Sequence, residues 1–382
     1  MRILNICAYT WAIGGPARII YDHTTEVLKY GHSVDILSPM TPGEKSYPVP
    51  EGARLIECAR TTPISNYYRE FSIDMYQYLK KHINEYDVIH MHGIWHFGSL
   101  APFILPHKGV LVVTIHGLLD RWAVEHSKWK KQLVTLLYQK KLLGQADLIQ
   151  INNTDEEEDV IRYLGYRPKN LVIIPNGMKV SEYTNLPPKG IFRAKHHLSP
   201  DQKVVLFMGR LNIKKGLDLL LPAFLKIHKL VPEAILILAG PDDGYQKDTE
   251  DFIKANHLED RIKLVGMLTD TDKKEALADA HLFALPSYSE GFSIAVLEAM
   301  TSGVPALVSD RVGFGDYIKR NNAAYLTPLN PDSVADGLLK ILQDPAYATM
   351  ISNNAYKMVT ENFDIKVVAN QLLEEYKKVS KI

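Results

Sequence analysis

Cysteine is scarce: Cys7 and Cys58 are the only two in 382 residues. They lie far apart and form no Cys-x-x-Cys or other metal spacing. Neither a disulfide framework nor a cysteine-held metal is expected, and a reducing compartment suits the chain. Long apolar runs are missing as well. No stretch approaches the roughly 18 apolar residues that a membrane-spanning helix needs. Net charge is absent: 44 Lys and Arg balance 44 Asp and Glu. That balance argues against a generic nucleic-acid binder. Low-complexity tracts and short repeats are not seen. The start, MRILNICAYT, runs straight into a buried-strand pattern. It has no basic segment, apolar stretch and small-residue cleavage site, so no secretion leader is expected. What remains is an ordinary globular composition at a length that favours two domains.

The most informative stretch is LFALPSYSEGFSIAVLEAMTSGVPALVSD, from Leu282 to Asp310. It predicts a strand (Leu282–Pro286), a polar loop, a helix from about Gly291 to Thr301, and a second strand (Pro305–Ser309). Glu290 falls in the loop, and Glu298 about two turns into the helix. Both carboxylates can then face one ligand across the helix N-terminus. The amides of Gly291, Phe292 and Ser293 are the expected unpaired donors of the first turn, and with the helix dipole they suit a phosphate. Gly291 would let the backbone come close to it. Carboxylates for sugar hydroxyls beside a helix end for phosphates suit a nucleotide-sugar. A single Glu here would be read as a helix-start acid or solvent-face charge. The apolar runs on both sides instead put this loop at the carboxyl edge of a parallel sheet, where open α/β folds bind ligands.

From the start of the chain, Ile3–Ala8 reads as a strand and Tyr9–Pro16 as a loop containing Gly14 and Gly15. A helix from about Ala17 to Tyr30 and a strand at Ser33–Leu37 complete a βαβ unit. The full Gly-x-Gly-x-x-Gly fingerprint is missing, so a dinucleotide cofactor is not supported. Val88–Met91, Val110–Ile115, Leu148–Ile151 and Val172–Ile174 read as further buried strands. Ser181–Gln202 is Pro-rich, polar and poorly periodic, a linker candidate. A second βα series then starts at Val204–Phe207. Two parallel α/β halves imply two doubly wound domains facing across a cleft. The boundaries expected are 1–180 and 181–363, with 364–382 packing back on the first domain.

Gly209-Arg210 and Lys215-Gly216 fall in the loop after the first strand of the second half. Arg can fork two phosphate oxygens and Lys supplies a point charge, so the pair suits a diphosphate better than a merely solvated loop. Arg210, Lys215, Glu290 and Glu298 together resemble the Arg, Lys and Glu-x7-Glu set of retaining GT-B glycosyltransferases of family 4. The resemblance extends through the Gly14-Gly15 loop, IIPNG (Ile173–Gly177), GRLNIKKG (Gly209–Gly216), LAGPDDG (Leu238–Gly244) and PSYSEGFSIAVLEAMTSGVP (Pro286–Pro305). It implies a GT-B fold of two Rossmann-like domains and a final helix, within Asp364–Lys381, that returns to the first domain. It also implies roles. Arg210 and Lys215 would hold the donor diphosphate, Glu298 the ribose, and Glu290 the transferred sugar. The Phe292 and Ser293 amides would lie near sugar or phosphate. Gly15 would approach the diphosphate, and His116 would stand beside the reacting centre. The expected reaction is transfer with retention from a UDP- or GDP-sugar to a saccharide or lipid-linked saccharide in surface-polysaccharide assembly. No cofactor or metal is required, and the expected location is the cytoplasm, at the inner face of the membrane. The chain departs from the family pattern at Ser293, where Gly is common, and at Asp316, where Glu is common.

Three other features compete. Asp270-Thr271-Asp272 imitates a metal-binding Asp-x-Asp, but its place before a helix reads better as capping. His90, His92, His96 and His116 suggest a metal-dependent hydrolase, because His-x-His on a strand puts both rings on one face. That class lacks later His and Asp ligands and leaves the second half without a task. A GT-B nucleotide-sugar epimerase and an inverting enzyme are nearer alternatives. Finally, a Lys-rich helix at about Ser127–Leu143 carries Lys128, Lys130, Lys131, Lys140 and Lys141. Trp122, Trp129 and Tyr138 interleave with them, a pattern suited to an anionic membrane surface.

Overall fold

The computed structural model describes residues 1–12, 15–68, 70–120 and 134–380. The chain divides into two units: Met1–Gly177 with Ile365–Ile382, and Met178–Asp364. It passes from one to the other after Gly177 and again after Asp364.

The first unit holds seven parallel strands: β1 (Arg2–Cys7), β2 (Ser33–Met40), β3 (Arg54–Ala59), β4 (Val88–His92), β5 (Val110–Thr114), β6 (Leu148–Ile151) and β7 (Leu171–Ile173). Their order across the sheet is β3-β2-β1-β4-β5-β6-β7. β5 reads as a nearly unbroken apolar run because helices cover both faces of a parallel sheet, whereas Asn5 interrupts β1 and His90 and His92 interrupt β4. Order reverses between β1 and β4, the place where such sheets open a crevice at their carboxyl edge. The final helix, Ile365–Ser380, belongs to this unit. Val368, Leu372 and Tyr376 recur at helical spacing and pack with Ile3, Val88 and Leu148. Each such side chain contributes about 1.5–3 kcal/mol on burial. Burial also pushes the Cys7 and Cys58 thiols up to about 12, which leaves both unreactive.

The second unit has six parallel strands: β8 (Lys203–Met208), β9 (Ala234–Ala239), β10 (Ile262–Gly266), β11 (Ala280–Leu285), β12 (Ala306–Ser309) and β13 (Tyr325–Thr327). Their order is β10-β9-β8-β11-β12-β13, with the reversal between β8 and β11. The segment expected as a linker, Ser181–Gln202, is instead folded into this unit. Phe192 is fully buried. The amides of Gly190 and Arg193 donate to the buried Asp279 carboxylate at 2.8 and 3.1 Å. A distant acid thus holds a stretch whose local pattern is weak. Among the described residues no helix is long and apolar enough to cross a membrane. The first seven residues of the Lys-rich helix, 127–133, with Lys128, Trp129, Lys130 and Lys131, lie outside the described residues, and so does Trp122. Tyr138 is described, and it turns inward: its hydroxyl meets that of Tyr68 at 2.6 Å.

Candidate active site

In the second unit, Gly209 and Arg210 leave the carboxyl end of β8, and a short 3-10 turn, Ile213–Lys215, follows. Gly216 ends that turn at φ +73, and a Cβ there would stand 2.0 Å from the Pro286 carbonyl oxygen. Only glycine fits this left-handed, close approach. It seats the Lys215 turn against the end of β11. Lys215 Nζ forms an ion pair with Glu290 Oε1, and Ser287 Oγ donates to the same oxygen at 3.2 Å. The Glu290 amide donates to the Arg311 carbonyl at 3.2 Å, and Gly313 donates to the Glu290 carbonyl at 2.6 Å. Glu290 is therefore pinned by backbone on both sides.

The helix after β11 runs Ile294–Thr301, with Ser293 as its N-cap. It begins later than the sequence pattern predicts. Gly291, Phe292 and Ser293 precede the first turn instead of supplying its amides. Phe292 packs on Phe314 and Phe363, at centroid distances of 5.8 and 5.9 Å, which holds the backbone away from helical geometry. Glu298 is consequently just over one turn into the helix. It is 5% exposed and accepts hydrogen bonds at Oε1 from Tyr183 at 2.6 Å and Lys273 at 2.7 Å.

A pocket of about 290 Å³ opens at the carboxyl ends of β8 and β9, and Arg210, Gly240, Lys273, Ile294 and Glu298 contribute to its wall. Arg210 is largely exposed and pairs with Asp243 at 2.6 Å. The structure thus brings Arg210 and Glu298 to one pocket. Lys215 and Glu290 form their own pair and are not part of that wall. Tyr183, Lys273, Asp243 and Ser287 were not legible as site residues. Tyr183 lies in the segment read as a linker, no local pattern marks Lys273, and Asp243 and Ser287 lie inside LAGPDDG and PSYSEGFSIAVLEAMTSGVP without a role of their own being read there. The Asp270-Thr271-Asp272 acids occupy the first turn of the helix Asp270–Asp279, where Thr269 and Lys195 bind Asp272. That is a helix-start role. Asp316 is exposed in the first turn of the helix Gly315–Asn321.

In the first unit, Gly15 begins the helix Gly15–Lys29, and a Cβ on it would meet nothing within 4 Å. His90 and His92 do share a face of β4, with ring centroids 4.0 Å apart and the rings tilted by 33°. His90 contacts Tyr376 and Thr114 through its two nitrogens, at 2.5 and 2.6 Å. His92 contacts His116 and Asn5, at 3.3 and 3.4 Å. His96 sits against Tyr9, 4.5 Å between centroids. The His90 and His92 nitrogens are thus spent on hydrogen bonds. Among the described residues no group of three or more His, Cys, Asp or Glu is arranged to hold a metal. The hydrolase alternative therefore loses its ligand set. His116 itself is half-buried in the left-handed region, φ +54. Dehydration, then the neighbouring His23, pushes its imidazole down to about 4. Glu156 supports the turn beneath it. Burial raises this acid above the usual carboxylate range, while bonds from Asn152 and the Gly117 backbone oppose the rise. Asn153 caps the helix Thr154–Leu164 by accepting from the Glu156 amide at 2.8 Å, and that Asn153-x-x-Glu156 spacing is the signal by which Glu156 can be found.

Residues 13–182 match the family described as Glycosyltransferase Family 4, and residues 188–358 match Glycosyl transferases group 1. A phosphatidyl-myo-inositol mannosyltransferase of Mycobacterium tuberculosis is 25% identical and covers 100% of this chain and 97% of its own. A UDP-Gal:alpha-D-GlcNAc-diphosphoundecaprenol alpha-1,3-galactosyltransferase of Escherichia coli is 27% identical, over 80% of this chain and 78% of its own. The crystal structure of Anabaena HepE in complex with UDP superimposes with a TM-score of 0.76 at 19% identity, covering 100% of both chains. That last likeness is one of fold.

Proposed function

This chain belongs to the glycosyl transferases of group 1, within glycosyltransferase family 4, and has the GT-B fold; from that premise we propose a specific reaction for it. It moves a hexosyl group, with retention, from a UDP- or GDP-sugar to a hydroxyl of a saccharide or lipid-linked saccharide. The observation that carries this reading is the meeting of Arg210, Lys273 and Glu298 in one pocket at the carboxyl ends of β8 and β9. Glu298 accepts the ribose hydroxyls through the oxygen that Tyr183 and Lys273 do not use. Arg210 forks the diphosphate, exchanging Asp243 for phosphate. Lys215 takes up the charge of the departing phosphate, and Glu290 turns to the transferred sugar. Gly15 approaches the diphosphate, and His116 faces the reacting sugar. Stabilisation of the leaving diphosphate is the main catalytic term, and no metal is needed for it.

The Anabaena structure holds UDP, which supports a nucleoside diphosphate as the donor moiety. The two relatives are named for a phosphatidyl-myo-inositol and for a diphosphoundecaprenol saccharide, which supports a lipid-borne acceptor. Surface-polysaccharide assembly on the cytoplasmic face, with the lysines of 127–143 drawn to anionic lipid, is the setting that fits. The test is calorimetry and thermal shift with UDP, GDP, ADP and their sugar conjugates, each with and without EDTA. The expected result is metal-independent stabilisation by one nucleoside diphosphate. No response to any of them, with destabilisation by EDTA, would overturn the reading. NMR of the product anomer then separates retention from inversion, and epimerisation from transfer.

A further inference from the structure

The histidines of the first unit are wired together in directions that can be deduced atom by atom. Gln150 Nε2 donates to the Ile174 carbonyl at 3.0 Å, so its Oε1 faces Thr114 as an acceptor. Thr114 Oγ1 gives its one proton to that oxygen at 2.8 Å, and toward His90 it can then only accept. His90 Nε2 therefore carries hydrogen, and the bare His90 Nδ1 accepts from the Tyr376 hydroxyl at 2.5 Å. The second chain runs the same way. Asn5 Nδ2 donates to Thr24 Oγ1 at 3.1 Å, which turns Asn5 Oδ1 toward His92 Nε2. His92 Nε2 is then the protonated nitrogen and His92 Nδ1 the bare one. His116 Nε2, 3.3 Å away, supplies the hydrogen between the two rings. Burial favours the neutral form of all three rings, so His116 Nδ1 carries no proton.

We propose that Asn5 and His92 are positioning residues that lock His116 as the Nε2–H tautomer and leave its Nδ1 as an acceptor for a saccharide hydroxyl. The proposal rests on the reading of His116 as a sugar-facing residue given above. It assigns His116 a chemistry narrower than that reading does. A bare imidazole nitrogen accepts from O–H, and it neither clamps a phosphate oxygen nor serves as an imidazolium acid. Ring and backbone are fixed together, because Glu156 holds the amide of Gly117 beneath the left-handed His116.

The experiment is long-range proton–nitrogen NMR on the full chain labelled with ¹⁵N-histidine, with His116 assigned by comparison with His116→Asn. At neutral pH, His116 and His92 are each expected to show a protonated Nε2 and a bare Nδ1. His92→Leu removes the acceptor and releases His116 into a mixture of tautomers; His92→Gln supplies an amide oxygen and restores the single one. In transfer assays His92→Leu lowers kcat by roughly tenfold to a hundredfold with the donor KM little changed, and His92→Gln recovers most of it. A wild-type His116 protonated at Nδ1, or an unaltered tautomer in folded His92→Leu, overturns the proposal. If His92→Leu does not fold, the wild-type and His92→Gln spectra still decide. The locked tautomer in a protein that transfers no sugar would instead sink the transferase reading and leave the relay standing.

Discussion

Lys215 and Glu290 neutralise one another on the loops that follow β8 and β11. A diphosphate arriving there offers Lys215 a stronger anionic partner and frees Glu290 for hydroxyls. Lys215→Ala should therefore lower turnover by about a hundredfold or more, the scale at which one stabilising donor to a developing anion acts. Nucleotide binding should suffer less, since Arg210 and Glu298 remain. Wild-type rates of nucleotide release in that variant would refute the diphosphate role. Glu298 makes a different prediction. Its buried carboxylate is oriented by the Tyr183 hydroxyl at 2.6 Å. A hydrogen bond to a charged group is worth about 1.5–3 kcal/mol, so Tyr183→Phe should weaken nucleoside diphosphate binding by roughly tenfold or more. Turnover at saturating donor should change little. Calorimetry on the variant checks this, and unaltered affinity would remove Glu298 from the ribose contact.

At the scale of the element, the turn that carries Lys215 depends on Gly216. Gly216→Ala has to leave the left-handed region or push the Pro286 carbonyl away from 2.0 Å. The backbone conformation alone costs about 1–2 kcal/mol. The melting temperature and turnover should fall together, because Lys215 moves with the turn. An unchanged melting curve would show that the turn is not held there. The strands were legible in the sequence because parallel strands buried on both faces leave continuous apolar runs, as in Ile235–Ala239 and Phe283–Leu285. The start of the Ile294–Thr301 helix was not. Its position is set by Phe292 meeting Phe314 and Phe363, a contact between distant parts of the chain that no local period records. The same limit applied to the site. The spacing of Glu290 and Glu298, and the Arg210 and Lys215 loop, stood out as residue types at fixed intervals. Tyr183, Lys273 and Asn5 reach their partners from separate elements, so nothing nearby in sequence marks them.

At the scale of the whole molecule, the first unit carries an acid sensitivity of its own. An unperturbed histidine titrates near 6.5. In the folded first unit His23 and His116 are held down to about 4, and His90 and His92 well below their ordinary value, above all by burial. Below pH of about 6.5 the unfolded chain therefore binds protons that these four folded side chains refuse, and stability falls with pH. Their contribution is intact above that value and is lost progressively as pH drops towards 4. All four act in the same direction, so below the ordinary histidine value their costs to the folded state accumulate. Glu156 runs the other way, since burial raises it, but one carboxylate does not offset four imidazoles. Calorimetric melting of the full chain should thus show a transition that moves down steeply between pH 7.5 and 5.5. His23 gives the sharpest test. Both of its ring nitrogens are buried and have no hydrogen-bond partner among the described residues, so His23→Leu removes a titrating group and breaks no described bond. That variant should gain thermal stability over the wild type at pH 5.5 and gain little at pH 7.5, because only the acidic unfolded state loses a proton site. An equal shift at both pH values would mean that His23 acts through packing alone, and a wild-type transition flat across this range would show that the histidine cluster does not govern acid stability.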